Sequence, residues 1–408
     1  MGLAKQQQIE EQRRGFSCDE TLTVCTGCFE EQGVTHFIEE HQSSTVCSFC
    51  KDYDEDVIAC KLELVIDHIL NSIHYEWGDP NNEGLSYITR EGGWQGKVYE
   101  TWNLMEIIGL DTINHDVFTY IVDSIHNQQW CKKEPYSLKV DQTFMYGWSY
   151  FCSFVKTKSR YLFLNARNPN FDTKQHDEMD PVKILDVLGS IVNRVSLTNV
   201  ISKDTDILRV RITELDQHLT DANELGSPPI EYAIMPNRMS PAGIPMFYGA
   251  FDMKTAISET YQQCDTDKKA ICGVFRPIRD LVLIDLPEKS SVPSIFDEHK
   301  RKFRSDIKFL QNFVHDFIKP IARDDRAHID YVPTQIVTEY FRHVFQSKDG
   351  VQVDGIIYPS SKNEGHRAVV IFATSEQCID ADESFQNDSL LRLVGIESQV
   401  LVGAGQIS

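Results

Sequence analysis

The chain has no apolar run long enough to cross a bilayer: stretches such as 281–286 end far short of the roughly eighteen residues that a spanning helix needs. Positive charge is also scarce. Forty Lys and Arg stand against 61 Asp and Glu, giving −21 at pH 7. That field opposes binding along a phosphate backbone and sets nucleic acid aside as a general partner. Residues 1–15 are rich in Gln, Glu and Arg and lack an apolar core, which argues against a secretory signal. No internal repeat and no low-complexity tract is present. What remains is ordinary for a globular chain of 408 residues, with 41% hydrophobic and 25% charged side chains and room for two or three domains.

The eleven cysteines are an odd number and, with no signal to export them, read as thiols in a reducing cytoplasm. Four have an informative spacing: Cys25-Thr-Gly-Cys28 is followed, after eighteen residues, by Cys47-Ser-Phe-Cys50. Two tight turns, each presenting a pair of thiolates, complete a tetrahedron around Zn²⁺. Cys18, His36 and His41 lie close enough in sequence to replace one ligand. Four thiolates leave no open coordination position, so the expected zinc is structural. It would staple a module, 1–54, too small to build its own core. Four basic and twelve acidic side chains in residues 1–60 argue against a nucleic-acid-binding ribbon.

Beyond the cysteines, Ile58, Leu62, Val65, Ile66, Ile69 and Ile73 recur at helical spacing and predict a helix from Glu55 to about Tyr75. Gly and Pro break 76–100 into a loop, and 101–130 reads as helical. The aromatic-rich segment from Tyr146 to Leu164 reads as helix-packing core. Another helix is expected after Asp180-Pro181, with Asp180 as its cap. Together 55–197 predicts a mainly α-helical domain. The polar, aperiodic stretch 198–206 then reads as a boundary. After it come short strands (207–212, 246–249, 281–286, 355–358, 368–373) with helical patterns between them, which predicts a separate α+β domain over 205–408.

In this second half, Arg209 and Arg211 alternate with apolar residues, so Leu208 and Val210 should face one side and both guanidinia the other. Arg238 stands in a turn-rich stretch leading to Tyr248, Glu259 follows eleven residues later, and Ser360 lies just past a strand. With their local strings (Leu208-Arg209-Val210-Arg211, 237–248, 255–259, 331–335, 354–361), these resemble the RES domain, a family named for Arg, Glu and Ser. The likeness covers about 205–375. Gly365-His366-Arg367 stands where the family often carries Asn. The two CxxC pairs and the helices after them resemble the HEPN/RES N-terminal module of longer members.

The resemblance implies a fold similar to ADP-ribosyltransferase domains and an enzyme that consumes NAD⁺ by hydrolysis, phosphorolysis or ADP-ribose transfer to a protein. It implies a bacterial toxin or anti-phage defence effector, with Arg209, Arg238, Tyr248, Glu259 and Ser360 in the site. It also implies an antitoxin or trigger protein and a homo-oligomer as partners. The chemistry fits independently. Arginines hold a pyrophosphate by charge-assisted hydrogen bonds, Tyr248 can stack on nicotinamide, and a carboxylate such as Glu259 stabilises an oxocarbenium-like centre. Ser360 would fix the nicotinamide ribose or amide; with no Ser/His/Asp arrangement around it, it is not read as a nucleophile. Two other classes compete. HEPN domains are often ribonucleases with Arg a few residues before His, but eight residues separate Arg167 and His176. A zinc-dependent interaction protein with an inactive second half is the other.

Overall fold

In the computed structural model the described residues are 12–90, 92–126, 128–163, 179–261, 267–320 and 326–401. Arg167 and His176 lie outside them. The chain divides into two units, Met1–Leu138 with Ser291–Ser305, and Lys139–Ser290 with Asp306–Ser408. Among the described residues no helix is long and apolar enough to cross a membrane.

In the first unit, β1 (Thr23–Cys25) pairs with β2 (Ala59–Lys61), and between them lies α1 (Gln32–Glu40). Next, α2 (Leu62–Glu76) carries the predicted stripe, with Val65, Ile66, Ile69 and Ile73 fully buried. It starts seven residues later than the periodicity suggests because 59–61 are held as strand against β1. Then come β3 (Trp77–Gly78), the hairpin β4 (Tyr87–Ile88) and β5 (Gly93–Trp94), and β6 (Tyr99–Glu100). The stretch 101–130, expected as helix, is two helices and a strand: α3 (Thr101–Ile108), α4 (His115–Ser124) and β7 (Gln129–Lys132). Gly109, at φ +76°, ends α3 in the left-handed conformation that glycine adopts without strain. Cys25, Cys28 and Cys47 share one core with α2, Trp130 and Phe296, so 12–54 is not a free-standing module.

The second unit begins with α5 (Val140–Thr157) and α6 (Ile184–Arg194). Its sheet comprises β8 (Thr198–Ile201), β9 (Ile207–Thr213), β10 (Phe247–Ala250), β11 (Lys269–Pro277), β12 (Leu281–Asp285), β13 (Gly355–Pro359), β14 (Arg367–Ile371), β15 (Cys378–Ile379) and β16 (Leu391–Val400). The nine strands lie in the order β15-β16-β11-β9-β10-β14-β13-β12-β8. All pairs are antiparallel except β12 with β13 and β15 with β16. The remaining helices are α7 (Ala222–Leu225), α8 (Met253–Thr260), α9 (Arg304–Ile318), α10 (Ala327–Asp330) and α11 (Val332–His343). One sheet face packs Ile284, Ile356 and Val370 against α5, α6, α9 and α11; the other buries Ile207, Phe247, Phe275, Leu283 and Ile357.

The fold is α+β, with a division that differs from the sequence reading. The stretch 198–206 contains an edge strand, β8, registered on β12 from Thr198↔Ile284 to Ile201↔Leu281. Its polar character follows from the edge position, where Asn199 and Val200 are exposed. Residues 139–197 therefore belong with the sheet, since the buried Trp148, Phe151, Leu188 and Ile191 fill its core. In the aromatic run, Trp148, Phe151 and Phe163 are core, as expected, whereas Tyr146, Tyr150 and Tyr161 are exposed.

Candidate active site

The sheet splits between β9 and β10. These strands share one registered pair, Ala250↔Leu208, whereas β9 is paired with β11 from Ile207 to Thr213 and β10 with β14 along its whole length. A cavity of ≈ 600 Å³ opens at the split, lined among others by Arg209, Arg211, Arg238, Tyr248, Glu259 and Tyr358. It gathers four of the five residues singled out from sequence, and the fifth, Ser360, touches Glu259 just behind its wall.

On β9, Leu208 and Val210 pack toward α8 and the two guanidinia lie on the other face, as the alternation predicts. Arg209 is 7% exposed. It donates through Nε to Gly226 O (2.9 Å) and through Nη1 to Tyr248 O (2.7 Å), and lies 5.3 Å from the Phe247 ring centroid. Arg211 Nη2 donates to the same Gly226 O at 2.9 Å. Burial, and then the charge of Arg211, hold the Arg209 guanidinium well below its ordinary pKa; burial lowers Arg211 as well. Among the described residues no carboxylate pairs with either. Two dehydrated cations share one carbonyl, an arrangement that an anion would relieve.

Arg238 is differently engaged. Its Nη1 donates to Phe317 O (2.9 Å) and Lys319 O (2.6 Å), placing a cation at the carbonyl end of α9. Tyr248 hydrogen-bonds Ser240 Oγ at 2.9 Å and accepts from Met239 N at 3.3 Å, and burial pushes its phenol up to about 12. The ring is thereby anchored to the 237–240 loop.

Ser360 is 5% exposed. Its hydroxyl donates to Glu259 Oε1 at 2.5 Å and accepts from Lys362 N (3.2 Å) and Asn363 N (3.1 Å). One proton and two lone pairs are thus all used, leaving nothing for the ribose or amide that the sequence reading assigned to it. The hydroxyl instead ties down one carboxylate oxygen of Glu259. The following turn is laced along α8: Lys362 Nζ donates to Glu259 O and Tyr261 O, Asn363 Nδ2 to Thr255 Oγ1, and His366 Nδ1 meets Asp252 Oδ2 at 3.1 Å. Gly365-His366-Arg367 thus supplies, through His366, a tie to the N-cap of α8.

Two family models match this chain: HEPN/RES N-terminal domain 1 over residues 40–169, and the RES domain over residues 210–391. Residues 210–391 are a RES domain. That relates the chain to NAD-linked, toxin-type activity. No curated protein and no solved structure matches the chain.

Within the RES domain, sequence reasoning passed over Tyr358 and Lys362. The signal was available: both stand in Tyr358-Pro-Ser-Ser-Lys362, and Tyr358, two positions before Ser360, shares its side of the extended chain.

In the N-terminal unit the four cysteines converge. Sulfur–sulfur distances are 3.9 Å for Cys25–Cys28, 3.4 Å for Cys25–Cys50 and 3.6 Å for Cys28–Cys47, and all four Sγ atoms lie within 4.8 Å of one another. Thiolates at ~2.3 Å from a tetrahedral zinc stand roughly 3.8 Å apart, so the donor set fits a metal ion. Burial acts to raise the Cys47 thiol, but the N–H groups of Phe49, Cys50 and Cys25 and the Cys50 thiol bring it down to about 7. The other candidate ligands lie outside the cluster: His36 stands beside Glu39 and Glu40, and His41 Nδ1 meets Phe37 O at 2.8 Å.

Proposed function

We propose that the RES domain breaks the nicotinamide–ribose bond of NAD⁺ and that the chain is a toxin or defence effector of bacterial type. The observation that carries this reading is the Ser360–Glu259 hydrogen bond, which holds in one orientation a carboxylate that lines the same cavity as Arg209 and Arg211. Arg209 and Arg211 would take the pyrophosphate, drawing an anion into a protein whose net field repels it. Tyr248 would stack on the nicotinamide.

As the C1′–N bond breaks, its electron pair returns to the ring nitrogen and the ribose becomes oxocarbenium-like. Glu259 stabilises that charge. Water then adds its oxygen to C1′ and loses a proton, giving ADP-ribose, nicotinamide and H⁺; phosphate in its place gives ADP-ribose-1″-phosphate. A protein acceptor is the second reading, favoured by Tyr232 and Met235, which line the cavity while 72% exposed. In the N-terminal unit, Cys25, Cys28, Cys47 and Cys50 would hold a structural Zn²⁺. A second copy of the chain, an antitoxin or trigger protein and a cytoplasmic setting complete the proposal.

Incubating purified protein with NAD⁺ tests it. Nicotinamide should be released, and the second product (ADP-ribose, its 1″-phosphate, or a labelled protein band) identifies the acceptor. No release above a blank would refute the enzyme and favour the interaction protein.

A further inference from the structure

Tyr358 is 93% removed from solvent by its relative exposure of 7%, and it lines the cavity. It belongs to the same core face as Tyr248. Its phenol lies within electrostatic reach of Glu259, Tyr248 and Arg238, three other lining residues. Among the described residues its hydroxyl has no hydrogen-bond partner, whereas that of Tyr248 has two. Burial first, then Glu259 and Tyr248, push the Tyr358 phenol well above its ordinary pKa against the pull of Arg238. It is a neutral donor at physiological pH. The residue lines the cavity and its hydroxyl is not among the buried unpartnered polar atoms, so the donor is open to a ligand that completes its bond.

We infer that Tyr358 is a further catalytic residue, its hydroxyl donating to the carboxamide oxygen of the nicotinamide leaving group. This rests on the NAD⁺ reading above. The placement argues for the carboxamide: Glu259 faces the sugar carbon that loses the bond, Tyr248 takes the ring, and Tyr358 borders both. The chemistry argues the same way. When the C1′–N pair returns to the pyridinium, the ring gains electron density and its carboxamide oxygen becomes a better acceptor. The hydrogen bond is therefore stronger in the transition state than in the ground state and accelerates bond breaking.

The test is Tyr358→Phe, assayed by nicotinamide or pyridine release from NAD⁺ and from the analogue whose pyridine ring lacks the carboxamide. With NAD⁺ the variant should lose about tenfold in kcat/KM, the effect of one hydrogen bond. With the analogue, wild type and variant should turn over equally, and the variant should melt no lower than wild type. Unchanged kcat/KM on NAD⁺, or an equal loss on the analogue, would overturn the assignment. So would a lower melting temperature, because the hydroxyl would then serve the fold. If wild type releases no nicotinamide at all, it is the NAD⁺ reading that fails.

Discussion

A serine hydroxyl has one hydrogen to give and two lone pairs to fill, and Ser360 spends all three on its own chain. Its effect on chemistry must therefore pass through Glu259. Two substitutions separate the roles. Glu259→Gln keeps the shape and removes the charge that, on the proposed reaction, stabilises the oxocarbenium; nicotinamide release should fall by roughly a hundredfold or more. Ser360→Ala keeps the charge but frees the carboxylate to turn, so kcat should fall by a smaller factor with KM for NAD⁺ nearly unchanged. Steady-state kinetics of both variants check this. A larger loss for Ser360→Ala than for Glu259→Gln would mean that the serine meets substrate directly. These two residues were singled out in the sequence because the strings around them resemble the RES family. Their contact was not legible there, since 101 positions separate them.

Helix termini set where the site's groups stand. Asp252 caps α8, accepting from Thr255 N at 2.8 Å and Thr255 Oγ1 at 2.7 Å, and so fixes the start of the helix that carries Glu259. Burial acts to raise the Asp252 carboxyl, but the Thr255 bonds and His366 leave it below its ordinary value. A carboxylate lowered in the folded state stabilises above its unfolded pKa, and that contribution vanishes as pH falls through the folded value. Asp252→Ala should cost about 1 kcal/mol near neutrality, and the gap to wild type should close below roughly pH 4; denaturant titrations at several pH values measure it. At the far end of α9, Arg238 satisfies two terminal carbonyls. Arg238→Ala should lower stability by about 1–3 kcal/mol as well as raising KM for NAD⁺; a raised KM with unaltered unfolding would leave Arg238 purely a ligand group. Strong periodicity made α2 and α6 readable in advance. Strands β11 and β16 were missed because Gly273 and Gly395 interrupt them, and the pairing of β11 with β16 and with β9 is long-range.

The chain interleaves its two units, and here local reading had least to work with. Ser291–Ser305 departs from the middle of the RES domain and joins the N-terminal unit, where Ile295 and Phe296 are buried. Gly33 is needed at that point, because a Cβ would lie 2.6 Å from the Phe296 backbone carbon. No composition shift announces such an excursion; it is visible only when the partner core is known. The cysteine cluster belongs to this unit, with Cys25, Cys28 and Cys47 inside its core, whereas all the cavity residues belong to the other. Metal loss and chemistry should therefore separate. Wild type should carry one zinc per chain by elemental analysis, and a chelator or Cys47→Ser should release it. Structural zinc sites contribute on the order of 10 kcal/mol to the domains they staple, comparable with the whole stability of an ordinary domain. Its unfolding transition should disappear in calorimetry and return when zinc is added back to the chelated wild type. Nicotinamide release should survive, since among the described residues no cysteine lines the cavity. Zinc-free wild type with the same transition would remove the staple from the account, and loss of turnover on chelation would place the metal in the reaction.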